Sequence, residues 1–459
     1  MSTGQSLPPQ TDAVVIGSGF AGMSAAVRLA ERGRRVIVLE EAPRFGGRAT
    51  AFVDRESNES VDNGQHALFG CYRETYTFLK QIGAAHLAPL QPRLTLTMAG
   101  EGRMETLECP RLRPPLHLLA GLMRWRGVGL ADRLSALRLF SFLRGVSSKG
   151  PAAVAADVPA ALTVSEWLRD HGQSPALCRW LWNPLAIAAL NQSPDVAGAA
   201  PFVRVLAELF GSDPEAASIG LATVPLDELF VAPAAAFIRA RGGDVVGRTA
   251  ARLLVAPSGA CIVRAGEADV TAPIVISAVP WHAFSRLWDE NVPAAVADVC
   301  AVASAMTASA IVTVNLWLDP SGPESAGQVP TFVGFVDGPM HWLFNKSRLI
   351  KGVRHLSIVA SGADELVRMD NGSITEAAHA QIQRAIPALS RSAVQRSVVV
   401  REPRATFSLA PGGPRRPGCT TGLKGFYLAG DWTDTGLPGT IEGAVLSGHA
   451  AADAALGKR

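Results

Sequence analysis

A chain of 459 residues is too long for one compact core and predicts two domains able to enclose a large ligand. Hydrophobic residues make up 48% and charged residues only 18%, so an apolar surface or an apolar cavity is expected. The 43 basic and 40 acidic residues leave a net charge of +3, which excludes a nucleic-acid footprint. Cys71, Cys109, Cys178, Cys261, Cys300 and Cys419 show no metal-ligand spacing; they read as free thiols of a reducing cytoplasm, and no metal is expected.

Residues 1–10 lack the basic start and apolar core of a secretory signal and read as a short disordered lead-in. Ala13-Val14-Val15-Ile16 is an apolar strand ending at a glycine turn, residues 21–32 have the composition of a helix closed by Gly33, and residues 35–39 form a second strand. Strand, helix and strand so closely spaced make a unit of a parallel sheet. Gly17, Gly19 and Gly22 stand at GxGxxG spacing in its first turn. The first makes the tight turn, the second lets backbone N–H groups approach a pyrophosphate, and the third lets helix pack close to strand. Glu40 ends the second strand, where a carboxylate accepts from ribose hydroxyls.

FAD and NAD both use such a unit. Gly46-Gly47-Arg48 favours FAD, because a second glycine loop with an arginine suits the pyrophosphate or the flavin edge. In Asp62-Asn63-Gly64-Gln65-His66, Asp62 is either a turn residue or a carboxylate facing substrate, and His66 either bonds locally or titrates beside the flavin.

Residues 87–225 change to helical stretches rich in leucine, alanine and arginine, broken by prolines. Within them, 111–144 combine Arg111, Arg113, Arg124, Arg126, Arg133, Arg138 and Arg144 with Leu116, Leu119, Leu122, Met123, Leu130, Leu134, Leu137 and Phe140. This is either a basic amphipathic helix pair resting on anionic lipid or an ordinary pair with a solvated arginine face. Strand-like runs return at 250–255, 261–265 and 274–279. Residues 299–318 carry no charge, but Thr313, Asn315 and Trp317 alternate with Val312, Val314, Leu316 and Leu318, which predicts a helix end followed by a strand rather than a membrane span. A buried strand at 425–429 leads to Gly430-Asp431, and Gly439-Thr440-Ile441-Glu442-Gly443 opens a final helix whose N–H groups can face the flavin's carbonyl edge.

GSGFAG, Glu40, GGR, AGDW and GTIEGA together resemble the FAD-dependent amine oxidase and carotenoid desaturase superfamily from one end of the chain to the other. Asp62 to His66, with Tyr72-Arg73-Glu74-Thr75, Trp182-Asn183-Pro184-Leu185 and Gly436-Leu437-Pro438-Gly439, resembles its squalene-associated branch, the hydroxysqualene dehydroxylases of bacterial hopanoid synthesis. The expected fold is α/β, with a Rossmann-type (GR2-like) FAD-binding domain of residues 11–86, 226–290 and 401–459 interleaved with a mixed sheet-plus-helices substrate domain of residues 87–225 and 291–400.

The resemblance implies FAD held by Gly17, Gly19, Phe20, Ala21, Gly22, Glu40, Glu41, Gly46, Gly47, Arg48, Gly64, Gln65, His66, Val245, Ala278, Gly430, Asp431, Gly439, Thr440 and Ile441. Residues 243–245 would meet the adenine through backbone, and residues 277–280 would close the pyrophosphate side. It implies hydride transfer to an apolar triterpenoid alcohol while an acid, with Asp62 and His66 as candidates, protonates the departing hydroxyl. No second GxGxxG unit of comparable quality serves NADPH, so an external electron donor is expected. The expected setting is cytoplasmic, a monomer or weak homo-oligomer in peripheral contact with the inner face of the cell membrane. Two other readings stay open: a carotenoid-type desaturase of phytoene or dehydrosqualene, and a non-catalytic carrier of lipids or prenylated partners. The intact Gly17, Gly19, Gly22, Glu40 and Asp431 set speaks against the carrier.

Overall fold

The apolar runs Ala13–Ile16 and Val36–Leu39 become the middle of a five-stranded parallel sheet. Its order is Phe426–Leu428, Ile274–Ser277, Ala13–Ile16, Val36–Leu39 and Asp244–Val246. The computed structural model describes residues 7–457 apart from 114–115, 140–141, 143–144, 146–147, 212, 257–258, 260, 289–291, 320–328 and 349–353. Phe140 and Arg144 of the arginine-rich segment, and residues 1–6, lie outside the described residues. The lead-in ends earlier than its composition suggests, because Thr271 donates its N–H to Pro9 and Gln10 pairs with Thr271.

Successive side chains of a strand point to opposite faces, and both faces of this sheet are buried. Val15, Val38 and Ile276 pack beneath helices Phe20–Glu31, Ala232–Arg239 and Ile441–Ala455. Val14, Ile37 and Val275 pack against Trp281, Phe284 and a three-stranded antiparallel sheet of Ala251–Val255, Cys261–Ala265 and Ala268–Thr271. Of the three strand-like runs expected after residue 250, only the last joins the parallel sheet.

A seven-stranded mixed sheet forms the second layer, in the order Val394–Phe407, Ala308–Leu318, His355–Ser361, Trp342–Asn345, Phe332–Phe335, Thr95–Gly100 and Arg103–Glu108. Helix Asn371–Ala385 covers one face, with Ile374, Ala378 and Ile382 against Val314, Ile358 and Leu343. On the other face, Trp342, Phe344 and Val359 share a core with the helical region, including helix Ala199–Leu209. Residues 87–225 are therefore not wholly helical. Thr95-Leu96-Thr97-Met98 alternates at strand period, and Glu101 and Gly102, at φ 54° and 72°, turn the hairpin. Residues 294–318 form helix Ala294–Ala305 and then the central strand Ala308–Leu318, as the alternation predicts. No helix among the described residues is long and apolar enough to cross a membrane.

Candidate active site

The first strand ends at Gly17, whose φ of +107° suits glycine and where a Cβ would stand 2.9 Å from the Ala278 carbonyl oxygen. A Cβ on Gly22 would collide with the Gly17 carbonyl oxygen, so glycine is what lets helix 20–31 cross its own turn at backbone contact. Gly19 is different: its φ is −70°, and a Cβ there would meet nothing nearer than the Gly46 carbonyl at 3.9 Å. Neither backbone strain nor protein packing calls for glycine here; the space beside it belongs to a cavity. No side chain caps helix 20–31, so its first-turn N–H groups and positive dipole end serve that wall.

Ser18 fastens the turn to the acid. Its N–H and hydroxyl donate to Glu40 Oε2 at 2.9 and 2.7 Å, Ala42 N–H donates to Oε1 at 2.9 Å, and Gly46 N–H donates to Ser18 Oγ at 3.1 Å. The second glycine loop meets the end of the chain through Arg48, which donates from Nη2 to Asp431 Oδ1 at 2.6 Å and from Nη1 to the Ala405 carbonyl at 2.5 Å. Burial opposes the Arg48 charge, but the Asp431 carboxylate outweighs it and holds the guanidinium above its usual range. Arg416 supports the same segment by donating to the Asp431 and Leu437 carbonyls. Thr440 caps the final helix, its Oγ1 accepting from Gly443 N–H at 3.1 Å, and Glu442 accepts from the N–H groups of Glu74 and Thr75, tying that helix to helix Arg73–Gln81.

These elements wall a cavity of about 990 Å³. One part is lined by Gly17, Gly19, Glu40, Gly47, Arg48 and Asp431; another by Leu94, Leu96, Met98, Leu122, Phe332, Trp342 and Phe344. The polar part has room for a dinucleotide beside Gly19 and free helix N–H groups for its phosphates. It also holds an unsatisfied atom, His282 Nδ1, which is buried without a partner among the described residues. Burial, with Arg404 and Arg48 nearby, pushes His282 down to about 4, so it stays neutral. A glycine cradle, an unpaired buried nitrogen and cationic neighbours fit the pyrophosphate and ribose of FAD.

Of the expected cofactor residues, Gly17, Gly19, Phe20, Ala21, Glu40, Glu41, Gly46, Gly47, Arg48, Gly64, Gln65, His66, Ala278, Gly430, Asp431, Gly439, Thr440 and Ile441 all border this cavity. Gly22 sits behind the turn, in the packing position. Val245 is not on the wall: its N–H donates to the Asp244 carboxylate at 2.8 Å and its carbonyl accepts from Arg239, so both backbone groups are engaged within the protein. Asp62 is not on the wall either. It is buried, its Oδ2 accepting from Lys346 Nζ and Gln65 Nε2, both at 2.9 Å, while Oδ1 accepts from Leu226 N–H at 3.2 Å. Away from the wall and paired through Oδ2 with Lys346, Asp62 has no path to a substrate hydroxyl.

His66 does reach the cavity. Its Nδ1 lies 2.9 Å from the Gly64 carbonyl, which can only accept, so Nδ1 carries the proton and Nε2 presents a lone pair. Desolvation holds the ring below its usual range and therefore neutral. Among the polar wall residues that escaped sequence reasoning are Ser18, His282 and Asn191. Asn191 adopts the left-handed conformation, φ 53°, after helix Asn183–Leu190, and its amide donates to the Ser309 carbonyl and Thr406 Oγ1. An asparagine following an apolar helix is a recognisable signal for that turn.

A dinucleotide cradle closed from both ends of the chain and continuous with an apolar lobe defines a flavin-dependent oxidoreductase. Over residues 20–456 the chain matches the pattern of flavin containing amine oxidoreductases, and it belongs to that family. It is 29% identical to hydroxysqualene dehydroxylase of Rhodopseudomonas palustris, over 96% of this chain and 97% of that one, and 27% identical to hydroxysqualene dehydroxylase of Zymomonas mobilis, over 96% and 98%. Cyclohexylamine oxidase from Brevibacterium oxydans shares the fold, with a TM-score of 0.70 at 16% identity, over 97% of this chain and 99% of that one. The protein is an FAD-dependent oxidoreductase, which sets the carrier reading aside.

Proposed function

We propose that the protein reduces hydroxysqualene to squalene, releasing the hydroxyl group as water. The observation that carries this reading is the single cavity in which the FAD cradle is continuous with a lobe of leucine, methionine and aromatic side chains. Such a lobe holds a long apolar chain and keeps bulk water from the reacting carbon. Bound and reduced, FAD supplies the hydride that replaces the hydroxyl. The cofactor-binding residues are those on the cavity wall, with Gly22 behind them. His66, neutral and presenting Nε2, orients the substrate hydroxyl by accepting its hydrogen bond. The cofactor domain comprises residues 11–86, 226–290 and 401–459, and the substrate domain residues 87–225 and 291–400, with strand Val394–Phe407 running through both.

The substrate reaches the cavity from a bilayer. Leu112, Leu116, Leu130, Leu134 and Leu137 account for half of the ten large hydrophobic side chains exposed among the described residues, and Leu137 also lines the cavity. Exposed arginines, among them Arg124 and Arg126, flank them. This supports peripheral contact with anionic lipid at the inner face of the cell membrane, with electrons from an external donor. The test is a pair of anaerobic reactions, hydroxysqualene offered to the enzyme with chemically reduced flavin and phytoene offered to the enzyme with oxidised flavin and a quinone as electron acceptor. Squalene from the first and no desaturated product from the second is the expected result; phytoene desaturation without squalene would replace this reading.

A further inference from the structure

Reductive loss of a hydroxyl places a hydride on carbon, places a proton on oxygen and releases one water for each carbon–oxygen bond broken. Asp62 is locked in its ion pair and His66 is neutral, so neither stores that proton. The seven-stranded sheet offers another source.

Strands Ala308–Leu318 and His355–Ser361 pair antiparallel, with Thr313 opposite Val359, Asn315 opposite Ser357 and Trp317 opposite His355. At one end of the face these residues share, Ile311, Val359 and Ser361 line the cavity. Beyond them, Thr313 Oγ1, Ser357 Oγ, Asn315 Nδ2 and His355 Nδ1 are buried with no hydrogen-bond partner among the described residues. None of these four residues is more than 1% exposed. At the far end stands Glu59, its side chain 16% exposed, with Oε2 accepting from Trp317 Nε1 at 2.7 Å and lying 3.9 Å from His355 Nδ1. His355 Nε2 is 3.0 Å from Asn315 Oδ1. At the near end, a Cβ on Gly64 would be 3.8 Å from both Thr313 Oγ1 and His66 Cε1, so the missing side chain leaves a gap between the row and the cavity wall.

Each buried polar group left unpaired costs about 1–3 kcal/mol, and four neighbours in one sheet face would be a heavy penalty for a fold that places Val314 and Leu356 at the intervening positions. Water bonded to two or more such groups removes the penalty. We propose that this row is a hydrated channel from Glu59 to the gap at Gly64, carrying the proton inward to the departing hydroxyl oxygen and the product water outward. The role rests on the dehydroxylation reading. Lys346, held by Asp62 and Gln65, stands beside the 62–66 loop as a fixed charge.

Thr313→Val and Ser357→Ala remove hydroxyls with little change of shape. In holoenzyme with the parent's FAD content and unfolding temperature, single-turnover squalene formation is expected to slow about tenfold or more in either variant, with a larger rate ratio between H2O and D2O. A crystal structure of the parent holoenzyme is expected to show ordered water on at least two of the four atoms. Parent-like rate and isotope effect in both variants, or a dry row in the crystal, would overturn the proposal. A parent that makes no squalene at all would instead refute the dehydroxylation reading, and this role with it.

Discussion

The two parts of the cavity are held open by different means. Around Gly19 the wall is backbone: glycines, helix N–H groups and one buried ion pair, Arg48 with Asp431, set its shape. Around Trp342 the wall is side-chain volume drawn from the hairpin 95–108, the strands 332–335 and 342–345, and the helices near 122 and 185, with Phe332 stacked on Trp342 at 4.8 Å. Backbone walls fail abruptly when an atom is added, whereas side-chain walls yield by degrees.

The largest expected effect follows at the cradle. Gly19→Val puts a branched side chain into the ligand's space, its Cβ no nearer than 3.9 Å to the Gly46 carbonyl oxygen, so the chain should fold and retain no FAD, read as the flavin absorption of purified protein. A full equivalent of flavin would show that the cradle yields as the lobe does. Next comes the support between the two parts. Asp62→Ala leaves the Lys346 ammonium buried without its partner, and unfolding free energy should fall by about 3–5 kcal/mol, with Asp62→Asn recovering part of it. An Asp62→Ala protein of parental stability that has lost only turnover would restore a catalytic part for Asp62.

Glu40→Gln keeps size and weakens a charge-assisted bond to ribose by about 1–2 kcal/mol. FAD affinity should drop roughly tenfold, with activity recovered by added cofactor. In the lobe the changes should be smaller. Trp342 Nε1 has no partner among the described residues, so Trp342→Phe keeps the stack, leaves FAD content unchanged and shifts the hydroxysqualene KM by less than about fivefold. Smallest is the surface. Arg124→Gln with Arg126→Gln should lower binding to anionic vesicles at low salt and leave flavin content intact, by up to about 1 kcal/mol for each charge. Arg133 does not belong in that test, because it donates to the carbonyls of Met123 and Val128 and holds the helix end.

The contrast also explains what could be read from the sequence. Gly17, Gly19, Gly22 and Glu40 are legible because backbone geometry ties residue type to spacing within one strand, helix and strand unit. Arg48 and Asp431 were each visible, but their pairing spans 383 residues and required the fold. Asp62 drew attention as an acid in a glycine turn; its partner Lys346 lies 284 residues away and gave no local sign. Val245 was carried by resemblance, and its backbone is engaged by Asp244 and Arg239. The lobe had no motif, since apolar volume can come from any leucine or phenylalanine. Even the hairpin 95–108 was hidden in a leucine-rich stretch, although its threonines alternate.

That one cavity brings reduced FAD and hydroxysqualene together is tested most directly by mixing reduced holoenzyme with hydroxysqualene without oxygen while following flavin absorption. Reoxidation at the rate of squalene formation, with one squalene for each flavin, is the expected result. Flavin that stays reduced with substrate bound, or that reoxidises without squalene, would contradict it.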